Sequence, residues 1–419
     1  MPETELRMTG ISQNIQGHYA TEKSAILSLL SGRQGCSISG LAEILGTSIP
    51  KVTRIVSEMV QDGYLVDLGK SGSSGGRRAS VFGLNPAVGY FVGVHVEQEH
   101  LRVAVTDFPG NLVNDVELIP FRLERTEESV AEMCRAVKHC ISYAMGPDQS
   151  KVAGYGVDLT GRVNRLTGYS YSYFISDEKP IRKLLEEGFG RSVIIDNDSR
   201  AMAWGEYMSS LPGAEGNILF LNVGWGLGMG MVMDGRLYYG KSGFSGEVGH
   251  FPLLDNNIPC RCGKIGCLET GASGSALHRL VKEKLAQGWA SVLSGKGDDL
   301  TLDDILEAVR SEDVLCIECL EETGATLGRA VSGLINIFNP DIVVIGGRLS
   351  VTEKYLMPPL RSSVNKLSLN LVNSDTVIKV SKLGEKAGAI GASLLAKHHL
   401  LFGKQQSNKA NTWKTAENF

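Results

Sequence analysis

The chain has 419 residues, 42% of them hydrophobic, enough for two or three domains with buried cores. A formal net charge of −4 excludes a broadly basic nucleic-acid coat but leaves room for a small basic reading head. No apolar run approaches the ~18 residues of a membrane span, and MPETELRMTG lacks the flank and core of a signal peptide, so a cytoplasmic protein with no membrane partner is expected. In that compartment cysteines are reduced or metal-bound rather than paired. Cys36, Cys134, Cys140, Cys316 and Cys319 are scattered and read as small buried apolar residues.

ATEKSAILSLLSGRQG reads as a first helix with Ile26, Leu27, Leu29 and Leu30 turned inward. SISGLAEILGTSIPKVTRIVSEMVQDGYLV then splits into two short helices at Gly46-Thr47-Ser48. Leu41, Ile44 and Leu45 form the apolar face of one, and Val52, Ile55, Val56, Met59 and Val60 that of the other. Ser48 can cap the second helix, and Pro50 is tolerated in its first turn. Lys51, Thr53, Arg54 and Ser57 face out, which is the helix-turn-helix pattern with a polar reading helix. Next come a strand with Tyr64, Val66 and Leu68 alternating, a Gly/Ser loop ending in Arg77 and Arg78, and a second strand. A hairpin here makes the head a winged helix-turn-helix over 1–85, with Ser48, Lys51, Thr53, Arg54, Arg77 and Arg78 as the DNA-binding candidates. Residues 1–85 hold eight Lys and Arg against seven Asp and Glu, so this reading rests on placement rather than on net charge.

Beyond Pro86, GYFVGVHVEQEHLRVAVTDF reads as two buried strands turning near Gln98, and a helix follows over about 127–146. VAGYGVDL and SVIIDND are further strands, and RAMAWGEYMSSL is a helix. The style then repeats with NILFLNVGWGLGMGMVMDGRLYYG, a second hairpin with a Gly-rich turn. Strands followed by helices, twice over, predict an α/β protein of two related lobes. The repeated hairpin resembles the actin-like (ribonuclease H-like) ATPase and sugar kinase fold, in which each lobe lends one hairpin to the nucleotide phosphates. The expected boundaries are 86–200 for the first lobe, joined by a closing helix at 385–403, then 201–384 for the second and 404–419 for a polar tail.

GHFPLLDNNIPCRCGKIGC places His250, Cys260, Cys262 and Cys267 in one Gly-rich loop. One imidazole and three thiolates suit a tetrahedral, structural Zn²⁺ with no position open to water, and Gly263 and Gly266 permit the sharp turns. The longer stretch SGEVGHFPLLDNNIPCRCGKIGCLETGASG resembles the signature of the ROK family, which joins repressors, open reading frames and sugar kinases. DNDSRAMAWGEY, NPDIVVIGG and GAIGASLLA resemble further family segments in the same order, from about 86 to 400. With a winged head in front, the chain is similar to the family's regulators, the glucose-, N-acetylglucosamine- and xylose-responsive repressors.

The resemblance implies sugar contacts by Asn197, Asp198, Glu247, His250 and Glu269. Asp198 matches the residue that serves the family's kinases as general base, and taken alone it also suits a helix N-cap. Those kinases carry Asp-x-Gly-Gly-Thr in the first hairpin, where this chain has His95, Val96, Glu97, Gln98 and Glu99. The Mg²⁺ carboxylate and both glycines are missing, and two carboxylates face the place of the nucleotide. In the second loop Trp225 replaces a small hydroxyl residue. No catalytic residue is therefore expected. The reading is a sugar-responsive regulator, a repressor of carbohydrate uptake or catabolism genes. It would bind operator DNA and a sugar or sugar phosphate, work as a homodimer or homotetramer, and leave room for a protein partner. The alternative is an ATP-dependent, glucokinase-like sugar kinase with an added DNA-binding head.

Overall fold

The computed structural model describes residues 20–70, 79–97, 99–172, 174, 179–210 and 216–411. They form two compact units. One runs up to Ala201 and takes in the chain again from Gly388; the other is Met202–Ala387.

The head consists of α1 (Ala20–Leu30), β1 (Cys36–Ser37), α2 (Ile38–Ile44), α3 (Ile49–Gln61), β2 (Leu65–Lys70) and β3 (Ser80–Leu84). Ser37 starts α2 by accepting a hydrogen bond from the Gly40 N–H at 3.1 Å. The strands pair in the order β1-β3-β2, so a helix-turn-helix is followed by a wing. Val52, Ile55, Val56 and Met59 are buried in one cluster with Ile26, Leu27, Leu30 and Leu41. Val60 was expected on the same face but is 37% exposed, because it lies beyond the edge of a stripe about 100° wide. Ile44, at the very end of α2, is 48% exposed. In β2 the expected phase fails: Leu65 is buried, while Leu68 points away and is 53% exposed. β2 is an edge strand that leaves the core after Val66, and its register with β3 shifts between Asp67 and Lys70. Arg77 and Arg78, expected on the wing tip, lie outside the described residues.

The first lobe follows with β4 (Tyr90–Val96), β5 (His100–Asp107), β6 (Glu117–Pro120), α4 (Glu127–Met145), β7 (Val152–Leu159), a small hairpin β8 (Val163–Asn164) and β9 (Tyr169–Ser170), α5 (Ile181–Phe189), β10 (Val193–Asn197) and α6 (Asp198–Ser210). β4, β7 and β10 are parallel and carry near-continuous apolar runs because both faces are covered. β5 and β6 extend the sheet antiparallel, for an order β10-β7-β4-β5-β6. The amphipathic α4 buries Val130, Met133, Cys134, Val137 and Ile141, and Thr126 caps it by accepting from the Ser129 N–H.

The second unit contains β11 (Ile218–Val223), β12 (Leu227–Met233), β13 (Arg236–Leu237), α7 (Gly274–Ala286), α8 (Leu302–Arg310), α9 (Val314–Phe338), β14 (Ile342–Gly346), α10 (Glu353–Leu367), α11 (Asn370–Asn373) and β15 (Val377–Val380). Its sheet order is β15-β14-β11-β12-β13, with β11, β14 and β15 parallel and β12 and β13 antiparallel. Element for element this repeats the first sheet, as the duplicated hairpins imply.

The closing helix α12 (Ala387–Asn411) lies on β4 and β7 of the first unit and stays helical past its expected end at 403. It approaches at backbone distance. A Cβ on Gly93 would sit 1.8 Å from the Ala389 carbonyl oxygen, and one on Gly156 1.9 Å from that of Ala392. Farther along α12, Ala396 and Leu401 join Phe91, Phe108, Ala153 and the head's apolar residues in a single core cluster. The DNA-reading head therefore shares its core with the first lobe.

Candidate functional site

The His/Cys loop is built from short turns, not from helices or long strands. His250 ends a single helical turn over Val248–His250, and Cys260 and Cys267 are held by isolated bridges, Pro259 to Ile265 and Pro252 to Cys267. Gly263 and Gly266 have φ of +85° and +73°, the left-handed region where a side chain is strained. At Gly266 a Cβ would also come within 2.7 Å of the Leu254 carbonyl oxygen. These turns bring one ligand atom from each of His250, Cys260, Cys262 and Cys267 within 4.8 Å of one another. The His250 Nδ1 to Cys260 Sγ distance is 3.5 Å, and Cys262 Sγ to Cys267 Sγ is 3.6 Å. Metal bonds of about 2.3 Å to sulfur and 2.0–2.1 Å to nitrogen at tetrahedral angles demand edges of about 3.8 and 3.5 Å. The four groups fit zinc in chemistry and in spacing. The other five cysteines are buried or half-buried and none is in a disulfide.

The neighbouring carboxylates are tied to this loop. His250 Nε2 lies 3.9 Å from Glu247 Oε2. Glu269 sits in the helical turn that follows Cys267, with Oε1 3.8 Å from Cys260 Sγ and Oε2 accepting the Leu227 N–H at 3.0 Å. Glu269 thus links the His/Cys loop to the Gly-rich turn between β11 and β12. That turn is also braced by α7, since the Gly274 and Ser275 N–H groups donate to the Gly224 and Trp225 carbonyls. Trp225 itself is 37% exposed and tilts against the His278 ring at 5.5 Å.

Asn197 and Asp198 stand at the end of β10 and the start of α6. The cap of α6 falls to Asn197, whose Oδ1 accepts the Arg200 N–H at 3.2 Å, so the cap role weighed for Asp198 passes to its neighbour. Asn197 Nδ2 also donates to the Gly161 carbonyl and to Asp198 Oδ1. Asp198 Oδ1 further accepts the Ser199 N–H at 2.7 Å, and Oδ2 accepts from Thr160 Oγ1 at 3.3 Å. Directly below, Asp196 and Arg200 form a buried ion pair at 2.6 Å that fixes the strand end.

The turn between β4 and β5 holds a network that the sequence analysis missed. Buried His95 donates through Nδ1 to Asp158 and lies 3.6 Å from Glu97, while Arg102 donates to the same Glu97 oxygen at 2.6 Å. Burial opposes charge on His95, but the Asp158 carboxylate outweighs it and lifts the imidazole to about 9. Both carboxylates of this turn have cationic neighbours: Glu97 has Arg102 and His95, and Glu99 is 3.9 Å from Arg122. Gln98 lies outside the described residues. The available signal was one polar residue interrupting each of two apolar runs, FVGVHV and VAGYGVDL.

On the head, Ser48 occupies the N-cap position of α3 but its hydroxyl makes no capping bond, a correction to the expectation. Lys51 pairs with Glu22 at 2.5 Å and Arg54 with Glu58 at 3.3 Å, while Thr53 Oγ1 donates back to the Ile49 carbonyl. Thr53, Arg54 and Ser57 are exposed, as the helical spacing implies.

Comparison with known proteins agrees with this geometry. The model of the ROK family matches residues 91–399. The chain belongs to the ROK family. A winged helix-turn-helix DNA-binding model matches residues 23–66, so this ROK protein is a DNA-binding regulator and its head is the DNA-binding part. It is 27% identical to the xylose repressor of Caldicellulosiruptor bescii, over 88% of this chain and 93% of that one. It is 29% identical to the DNA-binding transcriptional dual regulator NagC of Escherichia coli, over 84% and 86%. A solved ROK family transcriptional regulator, a homolog of the E. coli MLC protein, superposes with a TM-score of 0.76 at 24% identity, covering 91% of this chain and 97% of that one. A ROK family glucokinase from Streptomyces griseus, solved with glucose and AMPPNP, superposes with a TM-score of 0.65 at 27% identity, covering 74% of this chain and all of the kinase. The His/Cys quartet of this ROK chain fits the family's zinc motif. No helix among the described residues is long and apolar enough to cross a membrane.

Proposed function

We propose that this ROK regulator represses carbohydrate uptake or catabolism genes and is released from its operator by a sugar or sugar phosphate. Asn197, Asp198, Glu247, His250 and Glu269 are the proposed effector ligands. Carboxylates accept hydrogen bonds from sugar hydroxyls, each worth about 1.5–3 kcal/mol when charge-assisted. His250, Cys260, Cys262 and Cys267 would hold a structural zinc ion, which supplies rigidity and no open coordination position. A metal held on the Nδ1 side, where Cys260 Sγ lies 3.5 Å away, would leave Nε2 for Glu247 or a hydroxyl and fix the tautomer. Ser48, Lys51, Thr53, Arg54, Arg77 and Arg78 are the proposed DNA contacts. Two-fold operators call for a dimer or a dimer of dimers.

The observation that supports a sensor rather than a kinase is His95. It stands where the family resemblance expects the Mg²⁺ carboxylate, and its ring is held against the Asp158 carboxylate. An imidazole committed to a carboxylate does not replace the oxygen ligand that Mg²⁺ takes, and the glycines that would let phosphate approach the backbone are absent from this turn. In the second loop the family's small hydroxyl residue is replaced by Trp225, half-exposed against His278.

The test is operator release, followed by fluorescence anisotropy, with xylose, glucose, N-acetylglucosamine and their 6- or 5-phosphates as probes. One of them should release the wild type. Asp198→Asn should keep its DNA affinity but bind that sugar about thirtyfold more weakly, a loss of about 2 kcal/mol. Equal release of both proteins would remove Asp198 from the site. Phosphorylation of the sugar by wild type with ATP and Mg²⁺ would restore the kinase reading. Release only on addition of another protein would replace the sugar by a protein partner.

A further inference from the structure

The reading helix presents less hydrogen-bonding capacity than its sequence suggests. Lys51 is engaged with Glu22, Arg54 with Glu58, and the Thr53 hydroxyl with the Ile49 carbonyl. What α3 offers at its first turn is the uncommitted N-cap Ser48 followed by Ile49 and Pro50, all exposed. Ile49 is 55% exposed, and Ile44, just across the helix-helix turn, 48%. Two exposed isoleucines flanking one turn of a small head are not required by its core, which Leu41, Val52, Ile55, Val56 and Met59 already fill.

The N-terminal residues of the second helix of a helix-turn-helix are those that reach base edges in the major groove. Among the four bases only thymine presents a methyl group there, beside an O4 acceptor. We infer that Ile49 and Pro50 read thymine methyl groups in the operator, with the Ser48 hydroxyl available to donate to an adjacent O4. Specificity in this stretch of the site would then come from apolar contact, and Lys51 and Arg54 would act mainly on affinity after exchanging their present partners for phosphate. The inference deepens the DNA-binding role of the head and is independent of which effector the ROK domain senses.

Deoxyuridine tests it, because it lacks only the methyl and pairs as thymidine does. Duplexes selected from a random pool by the full-length protein are resynthesised with deoxyuridine at every thymidine, and binding of both versions is measured at one salt concentration. Wild type should bind the uracil duplex more weakly by about fourfold per methyl covered, the transfer of one carbon. Ile49→Ser should lose the Ile49 share of the uracil penalty and keep only what Pro50 contributes, so its ratio falls clearly below that of wild type. Ile49→Ala, which keeps only part of the contact, should show an intermediate ratio and provides the comparison if the serine variant binds too weakly to measure. Lys51→Ala should weaken both duplexes by the same factor and keep the wild-type ratio. Indifference of the wild type to uracil, or the same uracil penalty in wild type and Ile49 variants, would overturn the inference. So would a change in oligomeric state of Ile49→Ser without DNA, which would assign the patch to a protein contact.

Discussion

Phe108 follows β5 and is fully buried in the cluster that joins the head to the first lobe. Phe91, Ala153, Ala396 and Leu401 contribute from the lobe and from α12, and Leu27, Leu41, Val52 and Ile55 from the head. Truncating a buried phenylalanine to alanine costs about 3–5 kcal/mol, the lost transfer energy plus the cavity left behind. Domains of this kind hold about 5–15 kcal/mol in all. Phe108→Ala should therefore lower the melting of the first unit by about 10 °C, taking 2–4 °C per kcal/mol for this size. Because the cluster is shared, the head should lose stability together with the lobe. Hydrogen exchange followed by mass spectrometry reads this directly. In wild type, peptides from α3 and from β4 and β7 should open with similar free energies. In Phe108→Ala both sets should lose protection, and operator affinity should fall although no DNA contact is altered. Peptides of the Met202–Ala387 unit should be unchanged. If α3 exchanges far faster than β4 in the wild type, or if the variant loosens β4 and leaves α3 as it was, the head is an independent domain and the shared-core argument fails.

Two further outcomes are expected. Carefully purified wild type should contain about one zinc per chain. Cys262→Ser, at the exposed thiol, should lose it and much of the roughly 10 kcal/mol that structural sites contribute to folding; elemental analysis and thermal melting with and without a chelator check this, and metal-free wild type would refute it. His95 has a folded pKa raised above its unfolded value, so its stabilising contribution is complete below about pH 6.5 and is lost as pH rises through about 9. Thermal melts at pH 7 and pH 10 should show a larger drop for wild type than for His95→Asn; identical drops would mean that the pair carries no such charge.

The family, the winged head, the duplicated hairpins and the clustering of the His/Cys quartet were legible in the sequence because each is written in local signals: helical spacing, repeated strand runs, and cysteines a few residues apart. The kinship of the two lobes followed from the repeat, while the strand order within each sheet came only from the structure. What depends on residues distant in the chain was not legible. His95 and Asp158 are 63 positions apart, and only the parallel pairing of β4 with β7 sets the imidazole against that carboxylate. The partner of Glu97 was not legible either, because only the return of β5 supplies Arg102 to it. Asn197 rather than Asp198 caps α6, a choice of side-chain geometry between two adjacent good caps. That α12 crosses from the His95 strand to the core of the head could not be read from its apolar face. It required the glycines of β4 and β7 to admit a helix backbone at contact distance, which only packing in three dimensions reveals.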